Sequence, residues 1–175
     1  MRFCIIIIGL CVGMFIMSCP TEDPAHKKDE DVQQKNKNLP QLKAEWELEY
    51  AAWKLLDIQN YQFVFELGDT GIHQRITVKD RVCESAIDIF HNELGVPYYE
   101  TIDAIFDSIN GHFFIEENFA YPSGQIGTSF SINYDPQYHY PVKYSVIYIY
   151  DHSNGYIAGN GVTIEITEFT ILENE

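Results

Sequence analysis

Between Phe130 and Asp151 the chain places an apolar residue at every second position, with one interruption, and few folds accommodate that pattern. Phe130, Ile132 and Tyr134 alternate with Ser129, Ser131 and Asn133, which is the period of a strand with one buried face. Asp135-Pro136 breaks the run, because proline cannot donate to a ladder and aspartate hydrogen-bonds its own turn. After Pro141 the alternation resumes at Val142, Tyr144, Val146, Tyr148 and Tyr150. Two such runs across a short, proline-bounded connection predict an antiparallel hairpin.

The flanking segments supply partners for that hairpin. Leu42, Trp46, Tyr50, Trp53 and Leu56 recur at spacings of three and four after Pro40, predicting an amphipathic helix with an aromatic core face. Tyr61, Phe63, Phe65 and Leu67 alternate as a strand, Gly68 to Gly71 is a turn, and Ile72, Gln74, Ile76 and Val78 mark the next strand. Lys79-Asp80-Arg81 then turns into a third strand over 82–86, and 87–100 reads as loop. Thr101 suits the N-cap of a second helix carrying Ile102, Ile105, Phe106 and Ile109 on one face. Asn110-Gly111 is its expected stop, with 113–119 able to extend it. Gly155 and Gly159-Asn160-Gly161 predict a flexible connection after Tyr150. In the last strand the apolar parity changes between Ile166 and Phe169, so a bulge is expected near Thr167-Glu168. The order α-β-β-β-α-β-β-β predicts an α+β domain over 41–175, an antiparallel sheet of five or six strands with two helices packed on one face.

The start of the chain is an address. Arg2 precedes an apolar stretch from Phe3 to Met17, shorter than the roughly 20 residues a spanning helix needs. Ser18-Cys19 at its end resembles a bacterial lipobox, with Met17 where the strict pattern has a smaller residue. The resemblance implies a signal peptide over 1–18 and an acylated Cys19 as the mature N-terminus, anchoring the chain to the membrane of the bacterial envelope. Residues 19–40 then form a charged, almost wholly polar tether expected to be disordered, holding the domain on the order of 25 Å from the lipid. Cys83 alone remains in the folded part, so no internal disulfide is expected there; it is either a small buried hydrophobe or an exposed thiol. The formal net charge of −15, with Lys143 the only lysine or arginine after Arg81, argues against binding a nucleic-acid backbone.

Trp53 with Asn60-Tyr61-Gln62-Phe63, the stretch Thr101 to Phe106, and Tyr134-Asp135-Pro136-Gln137-Tyr138-His139-Tyr140-Pro141 together resemble an uncharacterised bacterial lipoprotein domain, family 6174 among the domains of unknown function. The resemblance runs from about Trp46 to Phe169 and implies fold and address, with no catalytic residue to carry over. Members commonly have glycine where His139 stands, and many carry a cysteine pair near the first hairpin, where Cys83 is single.

No constellation in the chain has the spacing of a known catalyst. Asp135 with His139, and Asp151 with His152, offer too few ligands for a metal site and are separated by a strand of roughly 30 Å. Ser123 and Ser153 lack the strand–elbow–helix context of an activated serine. Glu116 and Glu117 are adjacent and point different ways. No cofactor or metal is expected, and the chain is expected to be no enzyme. Tyr138, His139 and Tyr140 are the candidate contact with a protein partner, with Tyr138 and Tyr140 expected to be exposed in the turn. The function these features point to is a lipid-anchored envelope protein that binds a protein partner or plays a structural role. A surface-exposed inhibitor or adhesin is the alternative, and a hydrolase with an unrecognised site the weaker one.

Overall fold

The computed structural model describes residues 38–121, 124–152 and 155–173. Helix α1 (Leu39–Leu55) is followed by strands β1 (Tyr61–Leu67), β2 (Ile72–Lys79), β3 (Val82–Asp88) and the two-residue β4 (Glu93–Leu94). Helix α2 (Ile102–Asn118) leads to β5 (Gln125–Tyr134), β6 (Pro141–His152) and β7 (Gly155–Ile171). The strands pair antiparallel in the order β4-β3-β2-β1-β7-β6-β5, so the last strand lies between β1 and β6. This is the expected α+β class, with β4 as one strand more, formed inside the segment read as loop.

Both helices cover one face of the sheet. Trp46 and Trp53, seven residues apart in α1, are buried on one side of the helix. Trp53 meets Tyr61 of β1 and Phe169 of β7 edge-on, with ring centroids 5.6 and 6.0 Å away. The Trp46 indole N–H donates to the Phe106 carbonyl at 3.2 Å, tying α1 to α2. Lys43 pairs with Glu117 at 2.8 Å and Lys54 with Asp103 at 3.0 Å, so the start of α1 lies beside the end of α2 and the helices run antiparallel.

The Thr101 hydroxyl caps α2 by accepting from the Ala104 N–H at 3.1 Å. The helix then runs past Asn110-Gly111, the expected stop, to Asn118. Glycine inside a helix costs about 1 kcal/mol, whereas burying a phenylalanine yields about 1.5–3 kcal/mol. Phe113 is completely buried against the ring of Phe130, so continuation wins.

The hairpin of β5 and β6 forms as the alternation predicts, with Phe130 opposite Val146 and Ile132 opposite Tyr144. The Asp135 carboxylate accepts from the N–H groups of Gln137 and Tyr138 at 2.9 and 2.8 Å, making the expected side-chain turn. His139 closes that turn at φ +63°, the left-handed region that glycine favours. The parity change in β7 is also a bulge: Val64 faces Glu168 and Phe65 faces Ile166, leaving Thr167 unpaired. Ile166 and Phe169 therefore both point under the helices.

The flexible connection expected around Gly155 to Gly161 is not what the structure has, because β7 begins at Gly155 and continues through it, with a register shift at Gly159-Asn160 opposite Tyr148. Its glycines serve close approach. A Cβ at Gly161 would stand 2.0 Å from the Val146 carbonyl oxygen, and one at Gly159 would stand 2.2 Å from the Tyr150 ring. The other face of the sheet carries polar cross-strand pairs, Gln62–Thr77, Ser145–Thr163 and Lys143–Glu165 at 3.1, 2.9 and 2.9 Å, beside the apolar Val64, Ile147 and Ile149.

Candidate functional site

The second half of α2 lies over β5 and β6 without closing on them. Their separation leaves a groove of about 330 Å³, near the small end of the range of ligand sites. Along α2, Ile115 and Glu116 stand three and four residues after His112 and share its face above the groove, with Phe119 just past the helix end beside them. From below, Thr128 and Phe130 of β5 and the alternating Val146, Tyr148 and Tyr150 of β6 form the floor. Tyr121 and Gln125 border one end. Aromatic and aliphatic walls thus surround a few polar groups, and the lining holds one carboxylate and no lysine or arginine.

His112 is fixed from the core side. Its Nδ1 lies 2.7 Å from the hydroxyl of Tyr144, a residue with no exposed surface. Burial pushes the Tyr144 phenol far above its ordinary value, so it keeps its proton. Burial also holds the imidazole below its ordinary 6.5. The pair therefore satisfies itself with the phenol donating to Nδ1, which leaves the imidazole proton on Nε2. Glu116 accepts a hydrogen bond from the Tyr121 hydroxyl. The Gln125 side chain donates to the Thr128 hydroxyl at 3.2 Å, serving a nearly fully buried polar group. A neutral imidazole N–H and a carboxylate on one helix face can hold an amphipathic group by its polar end while the aromatic walls cover its stem.

The buried imidazole makes the domain acid-sensitive. With its native value depressed, the unfolded chain takes up a proton that the folded one refuses, so stability is full above about pH 6.5 and is lost as pH falls below it. Denaturation midpoints for the native chain and the His112→Gln variant should converge as pH falls from 7.5 to 5, the variant being flatter over that window. Parallel curves would place the acid sensitivity elsewhere.

The residues singled out from sequence are not in this groove. Tyr140, expected to be exposed, is buried and stacks on Phe169 at a centroid distance of 4.6 Å, with its phenol pushed up to about 12, chiefly by burial. Tyr138, expected to be exposed as well, is half-buried, 5.4 Å from the same ring. The physical reason is the bulge in β7, which turns Phe169 toward the hairpin end and gives both tyrosines an apolar partner. His139 is held by Glu49 of α1 at 2.7 Å. Asp135 spends its carboxylate on the turn. Cys83 is half-buried at the core margin, its thiol raised first by burial and then by Glu100, which disfavours the reactive thiolate. Glu117 pairs outward with Lys43 while Glu116 faces the groove, so the adjacent acids diverge as expected. Cys19, with the signal, the tether up to residue 37, Ser123 and Ser153, lies outside the described residues, while Leu39 and Pro40, read as tether, already belong to α1.

His112 went unread, and Glu116 was weighed only against Glu117, because the helix was expected to stop before them; their i, i+4 spacing around Phe113 was the available signal. Among the described residues no three histidine, cysteine or acidic side chains are grouped to hold a metal, and no helix is long and apolar enough to cross a membrane. Compared with known proteins, the chain matches no family model, no curated protein and no solved structure.

Proposed function

We propose that the chain is a lipid-anchored protein of the bacterial envelope whose folded part is a non-enzymatic protein-binding module, and that the binding surface is the outer edge of β5 together with the groove beside it. The observation that carries this reading is the edge itself. Among the described residues β5 has a partner on one side only, and its ten residues contain no charge and no proline. Its pairing with β6 is irregular only at the two ends; Gly127 and Thr128 are buried and the Gln125 side chain donates to the Gly127 carbonyl, so the open, regular row of backbone donors and acceptors runs from Ser129 to Asn133. Sheets ordinarily blunt such edges with charge, proline, bulges or brevity. The opposite edge follows that rule, being two residues long and carrying Glu93. An undefended edge is suited to accept a strand from another protein. The groove opens beside the Gln125 end of this strand.

The address rests on the Arg2-to-Cys19 segment and its resemblance to a lipobox. Two measurements test the reading. Fatty-acid labelling should disappear in Cys19→Ala and the chain should leave the membrane fraction. A photo-crosslinking residue at exposed Ser131 should give a discrete adduct in intact envelopes, and the same residue at Leu94 on the opposite edge should not. Retained labelling would overturn the anchor; equal products from both edges would overturn the binding surface.

A further inference from the structure

We infer that the partner offers an extended segment carrying a lysine or arginine, laid along β5 as an added strand with its cationic side chain in the groove at Glu116. This rests on the reading of β5 as a binding edge and assigns the chemistry of what binds there. A strand added at a sheet edge is held by main-chain hydrogen bonds, and its selectivity comes from the pockets that receive alternate side chains. The groove is the pocket available: β5 forms part of its floor, through Thr128 and Phe130.

What that pocket accepts follows from its lining. Among the described residues Glu116 is its only charged side chain, engaged by the neutral hydroxyl of Tyr121 and by no described cation. His112 does not compete for that charge as a cation, because burial disfavours its charged form and its Nδ1 is engaged by the Tyr144 hydroxyl. The walls are the faces and edges of Phe119, Phe130, Tyr148 and Tyr150. Aromatic walls around one carboxylate match a cation on a long apolar stem, since the rings attract the charge and cover the methylenes. The acids of α1 agree at the far end, where Glu45 and Glu49 face Tyr134 at the close of β5. The one lysine of the neighbouring strand, Lys143, is taken by Glu165.

A second copy of this chain fits less well. Its β5 edge has no charged residue, so pairing edge to edge would leave Glu116 without a cation. Two molecules each carrying −15 also repel.

The test uses the full chain in detergent with three capped peptides that alternate valine with lysine, acetyl-lysine or glutamate. Hydrogen exchange of the backbone amides and titration calorimetry are read together. The lysine peptide should slow exchange from Ser129 to Asn133 and bind at least tenfold more tightly than the acetyl-lysine peptide. Glu116→Gln, which keeps an acceptor for Tyr121, should remove that preference. Glu117→Gln removes the same charge outside the groove and should leave the preference in place. Loss of preference in both variants, or in neither, overturns the groove as the cation site, since the attraction would then be general or lie elsewhere. Equal binding of all three peptides, with β5 still protected, overturns the cation and leaves the edge standing. Protection of β5 by no peptide overturns the edge reading itself, and slowed exchange on β5 in concentrated protein alone replaces the peptide with a second copy.

Discussion

Truncating Phe106 to alanine should cost about 3–5 kcal/mol and leave much of the protein unfolded at ordinary temperature. Phe106 has no exposed surface and stands where both helices meet the sheet. Its ring lies 6.3 Å from Trp46, 4.7 Å from Tyr50 and 6.3 Å from Tyr134, so one side chain joins α1, α2 and β5. The Trp46 indole also donates to its carbonyl, a bond that depends on how closely the helices pack. Chemical denaturation of Phe106→Ala beside Phe106→Leu checks this: the leucine variant keeps most of the volume and should lose less than half as much. A loss below about 1 kcal/mol in the alanine variant would contradict the packing described here.

The second large effect concerns glycine, and two positions should answer with opposite signs. Gly161→Ala places a methyl group 2.0 Å from the Val146 carbonyl, where only backbone movement can relieve the clash. Overpacking of that kind costs about 1–3 kcal/mol and more where a strand must shift; at Gly161 the upper end or beyond is expected, with weakened protection of the β6–β7 amides. Gly111→Ala, on α2, meets open space and should stabilise by roughly 0.5–1 kcal/mol through helix propensity. Equal effects at the two sites would mean that β6 and β7 are not in the contact described.

The fold was legible wherever one physical term dominated. The Phe130-to-Tyr150 alternation, the Trp46–Trp53 face and the parity change at Thr167 each follow from burial of a single face, and each appears where expected. Reading failed where a local rule met a tertiary contact. Gly111 is a stop signal in isolation, outweighed by Phe113. Gly159 and Gly161 signal a loop in isolation, yet they are present because Tyr150 and the Val146 carbonyl come close. Tyr140 belongs to a turn by sequence, but Phe169 from the other end of the chain is there to receive it. The groove was invisible for the same reason: His112 becomes meaningful only beside Tyr144, thirty-two positions away, and no spacing rule links a helix residue to a strand that follows a loop.

The position of β7 has a consequence for when this fold can exist at all. The strands before it, β4 to β1, and those of the hairpin, β5 and β6, touch in the sheet only through it. Tyr61, the first residue of β1, pairs with Ile171, close to the end of the chain. Without the seventeen residues of β7 in place, the sheet is two separate halves with no strand between them. Pairing the first strand with the last joins residues about a hundred positions apart, and closing such long-range pairs makes folding slow.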